Sequence, residues 1–178
     1  LACPKCHQQL HLENKTLKCE NNHCYDISKR GYINLLLNPD KATNNPGDSK
    51  ESLVARKAYL NKGYYDPILN QVITCIDEFK HQDDLSILDL GCGEGYYTQG
   101  LKKHFENSDI YGLDISKIAI DMATRYRKDV TWLVGNSKNI PILDHSLDFI
   151  CALFTVVNQD ELKRALKEDG YIVHVTAN

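Results

Sequence analysis

Two groups of residues in this chain have types and spacings that could do chemistry. The first is cysteine-rich: four of the seven cysteines fall within the first 24 residues. Cys3-Pro4-Lys5-Cys6 forms a C-x2-C knuckle, and Cys19 and His23 follow as a Cys-x3-His pair. Two short-spaced pairs on facing turns can supply the four soft or borderline ligands of a tetrahedral Zn2+ site. Cys24 follows His23 directly, so spacing alone leaves open a four-cysteine site in which Cys24 is the fourth ligand. His7 and His11 are poorly spaced for the same ion and read as surface residues. A redox C-x-x-C is the competing account, but such a motif normally opens a helix beside a βαβ unit, without a second ligand pair nearby.

The second group is glycine-rich. Ser86-Ile87-Leu88-Asp89-Leu90 reads as a short buried strand, and Gly91-Cys92-Gly93-Glu94-Gly95 interrupts it before an amphipathic run. Glycines there let backbone N–H groups approach a ligand, because no Cβ intervenes. A dinucleotide loop, G-x-G-x-x-G, would need its third glycine at Tyr96, so that pattern fails. What remains, D-x-G-x-G-x-G from Asp89 to Gly95, resembles the first motif of class I S-adenosylmethionine (SAM) methyltransferases. A second strand, Asp109 to Asp114, ends in a carboxylate 19 residues after Gly95. A carboxylate there can accept hydrogen bonds from the two ribose hydroxyls of an adenosine cofactor, or cap a helix together with Ser116. Asn136, in Gly135-Asn136-Ser137 after a third strand, lies where an adenine amino group would be read.

These residues need a frame. With 178 residues, 42% hydrophobic and 25% charged, the chain can bury one full core with a small appended module. No apolar run approaches the ~18 residues that span a bilayer, and no signal segment opens the chain, so the expected compartment is cytoplasmic, with no membrane partner. Leu1 is not an initiator Met, which implies a trimmed start. Residues 1–60 hold nine Lys/Arg against six Asp/Glu and residues 61–178 twelve against eighteen, a basic end on an acidic body and a mild hint of a nucleic-acid partner. The segment Tyr25 to Leu37 offers Lys29 and Arg30 to phosphates and Tyr25 or Tyr32 for stacking, while its apolar tail can pack the module onto the body. Asp48 with Glu51 suggests a cap opening a helix to about Asn61, and Asp66-Pro67 a second helix whose Ile68, Leu69, Val72, Ile73, Ile76 and Phe79 share a face. Helices follow over about 96–105, 116–128 and 160–167, alternating with strands at 130–134, 147–154 and 170–175. Such alternation predicts an α/β, doubly wound parallel sheet, with the ligand outside the carboxyl ends of its strands.

A zinc ribbon, a linker and a SAM domain in this order resemble one family: the bacterial 23S rRNA (guanine-N1-)-methyltransferases of the RlmA type. Cys-Pro-x-Cys-His-Gln at 3–8, Cys-x3-His at 19–23, Gly-Tyr-Ile-Asn-Leu-Leu at 31–36 and Pro46-Gly47-Asp48-Ser49 carry the match. So do the glycine stretch 88–98 and Gly112-Leu113-Asp114-Ile115-Ser116-Lys117. The resemblance implies a Rossmann-like class I SAM methyltransferase domain over 49–178, a zinc-binding module over 1–37 and a linker over 38–48. It favours Cys3, Cys6, Cys19 and His23 as zinc ligands and leaves Cys24 free. Cofactor contacts are expected at Tyr65, Asp89, Gly91, Gly93, Glu94, Gly95, Asp114, Ile115 and Asn136. The implied cofactors are SAM and Zn2+, the implied substrate a guanine N1 in a hairpin loop of 23S rRNA, and a homodimer is left open. Two departures stand out. Where the family has a proline-containing segment after the fourth strand, this chain has Phe154-Thr155-Val156-Val157-Asn158. The family also continues through two more strands, so the sequence reads as incomplete at its carboxyl end. No general base is assigned; Asp148 is close in sequence to the site, but a strand-end carboxylate is more often structural.

Overall fold

A computed structural model describes residues 1–37, 47–125 and 127–177. Most of the expected linker, 38–46, lies outside the described residues. The first 27 residues make a three-stranded antiparallel sheet from β1 (His11–Glu13), β2 (Thr16–Lys18) and β3 (Cys24–Asp26), in the order β1-β2-β3. Asn14, at φ 58°, supplies the left-handed residue of the tight β1–β2 turn, a conformation asparagine tolerates well. β1 is exposed throughout and β2 buries only Leu17, so these strands cannot hold themselves together by apolar burial.

The remainder is a six-stranded parallel sheet. Its strands are β4 (Ile33–Asn34), β5 (Ser86–Leu90), β6 (Asp109–Asp114), β7 (Thr131–Val134), β8 (Leu147–Leu153) and β9 (Leu166–Val175), in the order β4-β7-β6-β5-β8-β9. β5 sits in the middle, bonded to β6 and β8, and after Ser86 every residue of it is buried, as a strand covered on both faces requires. The helices are α1 (Lys50–Leu60), α2 (Asp66–Phe79), α3 (Tyr96–His104), α4 (Lys117–Ala123) and α5 (Gln159–Ala165). Chain order reverses between β5, whose neighbour β6 comes next, and β8 on its other side, so the ligand crevice is expected at the carboxyl end of β5.

β4 was not legible as a strand. It lies just after the metal-ligand region yet pairs in parallel with β7, Ile33 opposite Leu133 and Asn34 opposite Val134. The apolar tail of residues 31–37 therefore does more than pack one module on another: it extends the large sheet. One cluster of buried side chains runs through both parts, joining Cys3, Leu10, Leu17 and Cys19 to Ile33, Leu35, Leu133, Ile140 and Ile142.

Several boundaries differ from expectation, each for a local reason. Ser49, not Asp48, caps α1 by accepting from the Ser52 N–H, and Asp48 pairs instead with Arg56. α4 ends at Ala123 rather than near Lys128; Trp132 donates its indole N–H to the Arg127 carbonyl, which takes that carbonyl out of helical hydrogen bonding. α5 stops at Ala165 and β9 begins at once, because Leu166 is buried opposite Leu147. On α2 only Val72 and Ile76 are buried, while Phe79 stays exposed, its ring 5.1 Å from Tyr171.

Candidate functional site

The cysteine-rich turns converge. The Sγ atoms of Cys3, Cys6 and Cys19 and a ring nitrogen of His23 all lie within 4.8 Å of one another. His23 Nδ1 is 3.4, 3.5 and 3.4 Å from the three sulfurs, and the Cys6 and Cys19 sulfurs are 3.6 Å apart. Zn–S bonds of ~2.3 Å and Zn–N bonds of ~2.0–2.1 Å in a tetrahedron demand edges of about 3.5–3.8 Å. The donor set therefore fits zinc on its geometry. His7 (φ 58°) and Asn22 (φ 60°) turn the chain beside the ligands. The Tyr25 hydroxyl lies 3.4 Å from Cys3 Sγ, placed to donate to a thiolate. Burial pushes the Cys3 thiol up, but hydrogen bonds from Tyr25 and from the backbone of Lys5 and Cys6 outweigh it and bring the pKa down. Cys24 is exposed, with its thiol on the Asn22 carbonyl, so the open choice at the fourth position resolves to His23.

At the carboxyl end of β5 lies a cavity of about 290 Å3, lined by Gly91, Cys92, Gly93, Glu94 and Tyr65. The expected contacts Tyr65, Gly91, Gly93 and Glu94 are thus brought together. Arg56, Tyr59 and Leu60 from α1, Tyr96 and Tyr97 from α3, and Leu153 and Phe154 from the end of β8 complete the wall. The three glycines differ in what they do. All have positive φ (74°, 55° and 86°), but a Cβ on Gly93 would meet only Arg56 Nη1 at 4.0 Å, so this backbone stays open to a ligand. A Cβ on Gly95 would stand 2.6 Å from the Trp132 ring, so Gly95 serves close packing of α3 and does not line the cavity.

The other expected contacts are held near, not in, the wall. Asp114 accepts the Gly93 N–H on one carboxylate oxygen (2.9 Å) and the Ser116 N–H on the other (2.7 Å), fixing the loop to β6 while keeping further lone pairs. The two roles considered for Asp114 differ in outcome: Ser116 is itself the cap of α4. Asp89 is buried beneath the loop and accepts from the Thr98 hydroxyl; burial raises its pKa to about 7. Ile115 packs on the core. Asn136 accepts the Lys138 N–H, and Asn139, bridged to it, donates to the Pro4 carbonyl at 2.8 Å, which ties the metal knuckle to the loop after β7. Asp148 accepts from the Ser86 N–H (2.8 Å) and from Lys167 (2.7 Å) at the other end of the sheet, a structural pin. A larger open hollow beside β9, about 540 Å3, is lined by His145, Lys163 and Lys167 and contains none of these residues.

Among the described residues, the buried side-chain oxygens without a partner are Glu94 Oε1 and Tyr97 Oη, both on residues that line the cavity. Burial pushes the Glu94 carboxyl up, with Arg56 and Lys57 opposing. An unsatisfied buried acceptor is costly unless a ligand donor meets it. The α-ammonium of an amino acid cofactor is such a donor, so these residues fit SAM. Sequence reasoning missed Arg56 and Tyr59, which carry no spacing signal. Phe154, expected at the ligand crevice from its place at the end of the fourth strand, does line the cavity, a bulky residue at φ 56° in the left-handed region.

The comparisons with known proteins agree with this geometry. Residues 1–42 match the N-terminal zinc ribbon of RlmA, and residues 87–170 match a methyltransferase domain. The 23S rRNA (guanine(748)-N(1))-methyltransferase of Streptomyces fradiae is 29% identical over 99% of this chain and 62% of its own length. YxjB of Bacillus subtilis (strain 168), provisionally named for the same kind of reaction on 23S rRNA, is 31% identical over 97% of this chain and 62% of its own. The chain thus spans about three-fifths of these relatives. A Methanococcus maripaludis protein provisionally described as a SAM-dependent methyltransferase matches in structure, with a TM-score of 0.60, 23% identity, and 74% of this chain and 67% of that one covered. The fold and the site define a class I SAM-dependent methyltransferase domain joined to a zinc ribbon. More narrowly, the ribbon matches the N-terminal zinc ribbon of RlmA, and the chain is similar along nearly its whole length to 23S rRNA guanine-N1-methyltransferases.

Proposed function

We propose that the protein of which this chain is part transfers a methyl group from SAM to N1 of a guanine in a hairpin loop of 23S rRNA. The observation that carries the reading is the match to guanine-N1-methyltransferases across ribbon and catalytic domain together, since a methyltransferase domain alone would not name a substrate. SAM, when bound, supplies a methyl already activated on a sulfonium, so alignment is what the chain must contribute; alignment can provide about 7–11 kcal/mol of the barrier. In this reading Gly91 and Gly93 bring backbone close to the cofactor, Glu94 takes its ammonium, Tyr65 covers the methionine end and Asp114 takes the ribose. Asp89 and Gly95 support the loop from below. Asn136 and Ile115 border the adenine. The target base must leave its stack, a cost of a few kcal/mol that is smallest in a loop. Tyr65 and Phe154, rings 6.1 Å apart edge to face, form the rim it would pass. Zinc holds the ribbon in shape.

The RNA-stacking role considered for Tyr25 and Tyr32 does not fit the observed packing. Tyr32 is buried in the core and the Tyr25 hydroxyl is committed to Cys3. A cytoplasmic location accords with the expected substrate, and among the described residues no helix is long and apolar enough to cross a membrane. Tritiated-methyl transfer from SAM onto unmodified large-subunit rRNA, followed by mapping of the labelled position, tests the reading. Label at a guanine N1 is expected. Label confined to a small molecule or a protein would replace the substrate assignment.

A further inference from the structure

A second surface lies at the far end of the same sheet. The β1–β2 turn brings Lys15, the β3–β4 turn brings Lys29 and Arg30, and the segment before β7 brings Arg127 and Lys128 around one groove of about 380 Å3, floored by Trp132. We propose that this groove binds the phosphodiester backbone of the RNA substrate. The proposal rests on the rRNA reading for the identity of the partner and goes beyond it in placing the contact.

The charge balance favours an anion. Asp121 pairs with Arg30 at 2.8 Å and with Arg125 at 3.3 Å, and Asp129 pairs with Arg127 at 2.6 Å. Two carboxylates thus form ion pairs with three of six cations, counting Arg125, and Glu106 acts on Arg127 from beyond ion-pair distance. Lys15, Lys29 and Lys128 are exposed, and no ion pair joins them to any described residue. This local excess stands on a chain whose net charge is −3, so it is a feature of the place and not of the composition. A concave surface lined by one sign of charge concentrates the opposite sign in it. Nothing lies within 4 Å of a Cβ built on Gly31, so the β3–β4 turn leaves the groove open on that side.

Position sets the role. Gly31 and Val130 precede β4 and β7, whereas Gly91, Glu94 and Phe154 follow β5 and β8, and all these strands are parallel. Groove and methyl-donor cavity therefore open toward opposite ends of the sheet. RNA held in the groove touches it with nucleotides other than the target. Such a contact fixes orientation and affinity but reads no base.

The test uses the whole 178-residue chain and a fluorescently labelled RNA hairpin from the 23S rRNA target region, with binding followed by anisotropy from 50 to 300 mM salt. Replacing the three unpaired lysines together, Lys15→Gln, Lys29→Gln and Lys128→Gln, should weaken binding at least tenfold at the lowest salt. It should also lower the slope of log K against log salt by about 2–3, since each phosphate contact contributes ~0.7–0.9. SAM affinity by calorimetry and the thermal midpoint should stay at wild-type values. Unchanged RNA affinity and slope in a folded triple variant would overturn the groove while leaving the methyltransferase reading intact. Groove-dependent RNA binding without methyl transfer to rRNA would do the reverse. Competition by polyglutamate as effective as that by RNA at equal charge would make the groove a surface for acidic polypeptides and overturn the RNA assignment.

Discussion

The metal knuckle and the glycine loop are both tight turns that present chemistry, and they are held in opposite ways. The knuckle stands on strands of three residues, one of them wholly exposed, and its order comes from four donors meeting at one point. The glycine loop stands on a strand buried along almost its whole length and is shaped by neighbours such as Trp132, Asp114 and Thr98. An ion organises the first and packing the second, so the two should fail differently. Cys6→Ser should reduce zinc from one equivalent to below a tenth, whereas Cys24→Ser should keep it; metal analysis reads both. Structural zinc contributes about 10–16 kcal/mol in small finger peptides, so no single change in the loop should cost as much. After chelation, amides of residues 1–27 should lose hydrogen-exchange protection while β5, β6 and β8 keep theirs. Loss of both together would mean that the apolar cluster shared by ribbon and sheet, and not the metal, sets the ribbon's stability.

The loop's dependence on packing has its own internal contrast. Gly95→Ala places a methyl 2.6 Å from Trp132 at a φ of 86°. Left-handed strain of ~1–2 kcal/mol and overpacking of ~1–3 kcal/mol predict a loss of about 2–5 kcal/mol in urea unfolding. Gly93→Ala should cost only the strain, because its Cβ faces open space, yet it should weaken SAM binding more than Gly95→Ala does. Equal effects of the two changes on affinity would place Gly95 in the ligand wall after all.

Glu94→Gln tests whether the unpartnered buried oxygen awaits a cationic donor. Removing one partner of a charged hydrogen bond costs ~1.5–3 kcal/mol, or about 10–150-fold in SAM affinity by calorimetry. The protein itself should be no less stable, since burial of that carboxyl raises its pKa. Wild-type affinity in the variant would shift the ammonium contact elsewhere in the cavity.

The same contrast explains what could be read from the chain alone. Zinc ligands must come in close pairs, so spacing carries nearly all of the knuckle, and only the choice between His23 and Cys24 needed coordinates. β5, the glycine loop and β6 were legible because a buried parallel strand ending in glycines, then one ending in Asp, is a local pattern. The cavity's other walls are not local. Arg56 and Tyr59 come from a helix that buries only Leu53 and Leu60 and has little apolar periodicity to announce it. β4 is two residues long and joins the sheet through a partner a hundred residues away, which no short window shows. Asp89 and Gly95 belong to the motif by spelling, yet their side chain and α-carbon turn away from the cavity toward Thr98 and Trp132. A motif spells out a loop; it does not say which members face the ligand.

Asp89 makes that last distinction measurable. Its carboxyl is buried, and its pKa of about 7 lies above the ordinary value of 3.8, with burial the leading cause and the Thr98 hydroxyl opposing. A raised carboxyl pKa means that the folded protein holds a proton which the unfolded chain has already released. Stability therefore falls as pH rises from about 4 to about 7 and levels off above, the reverse of a salt-bridged aspartate. Between pH 6 and pH 8 this one group should remove about 1.4 kcal/mol, one unit of proton linkage. Asp89→Asn keeps an acceptor for Thr98 and carries no charge at any pH, so the difference between variant and wild type in urea unfolding should grow in the variant's favour over that interval. Glu94 and Asp114 titrate in both proteins and largely cancel in that difference. SAM affinity should change less than threefold, because the carboxylate lies under the loop. A tenfold loss of affinity with no change in the pH dependence of stability would mean that Asp89 reaches the cofactor and that the loop is supported by packing alone.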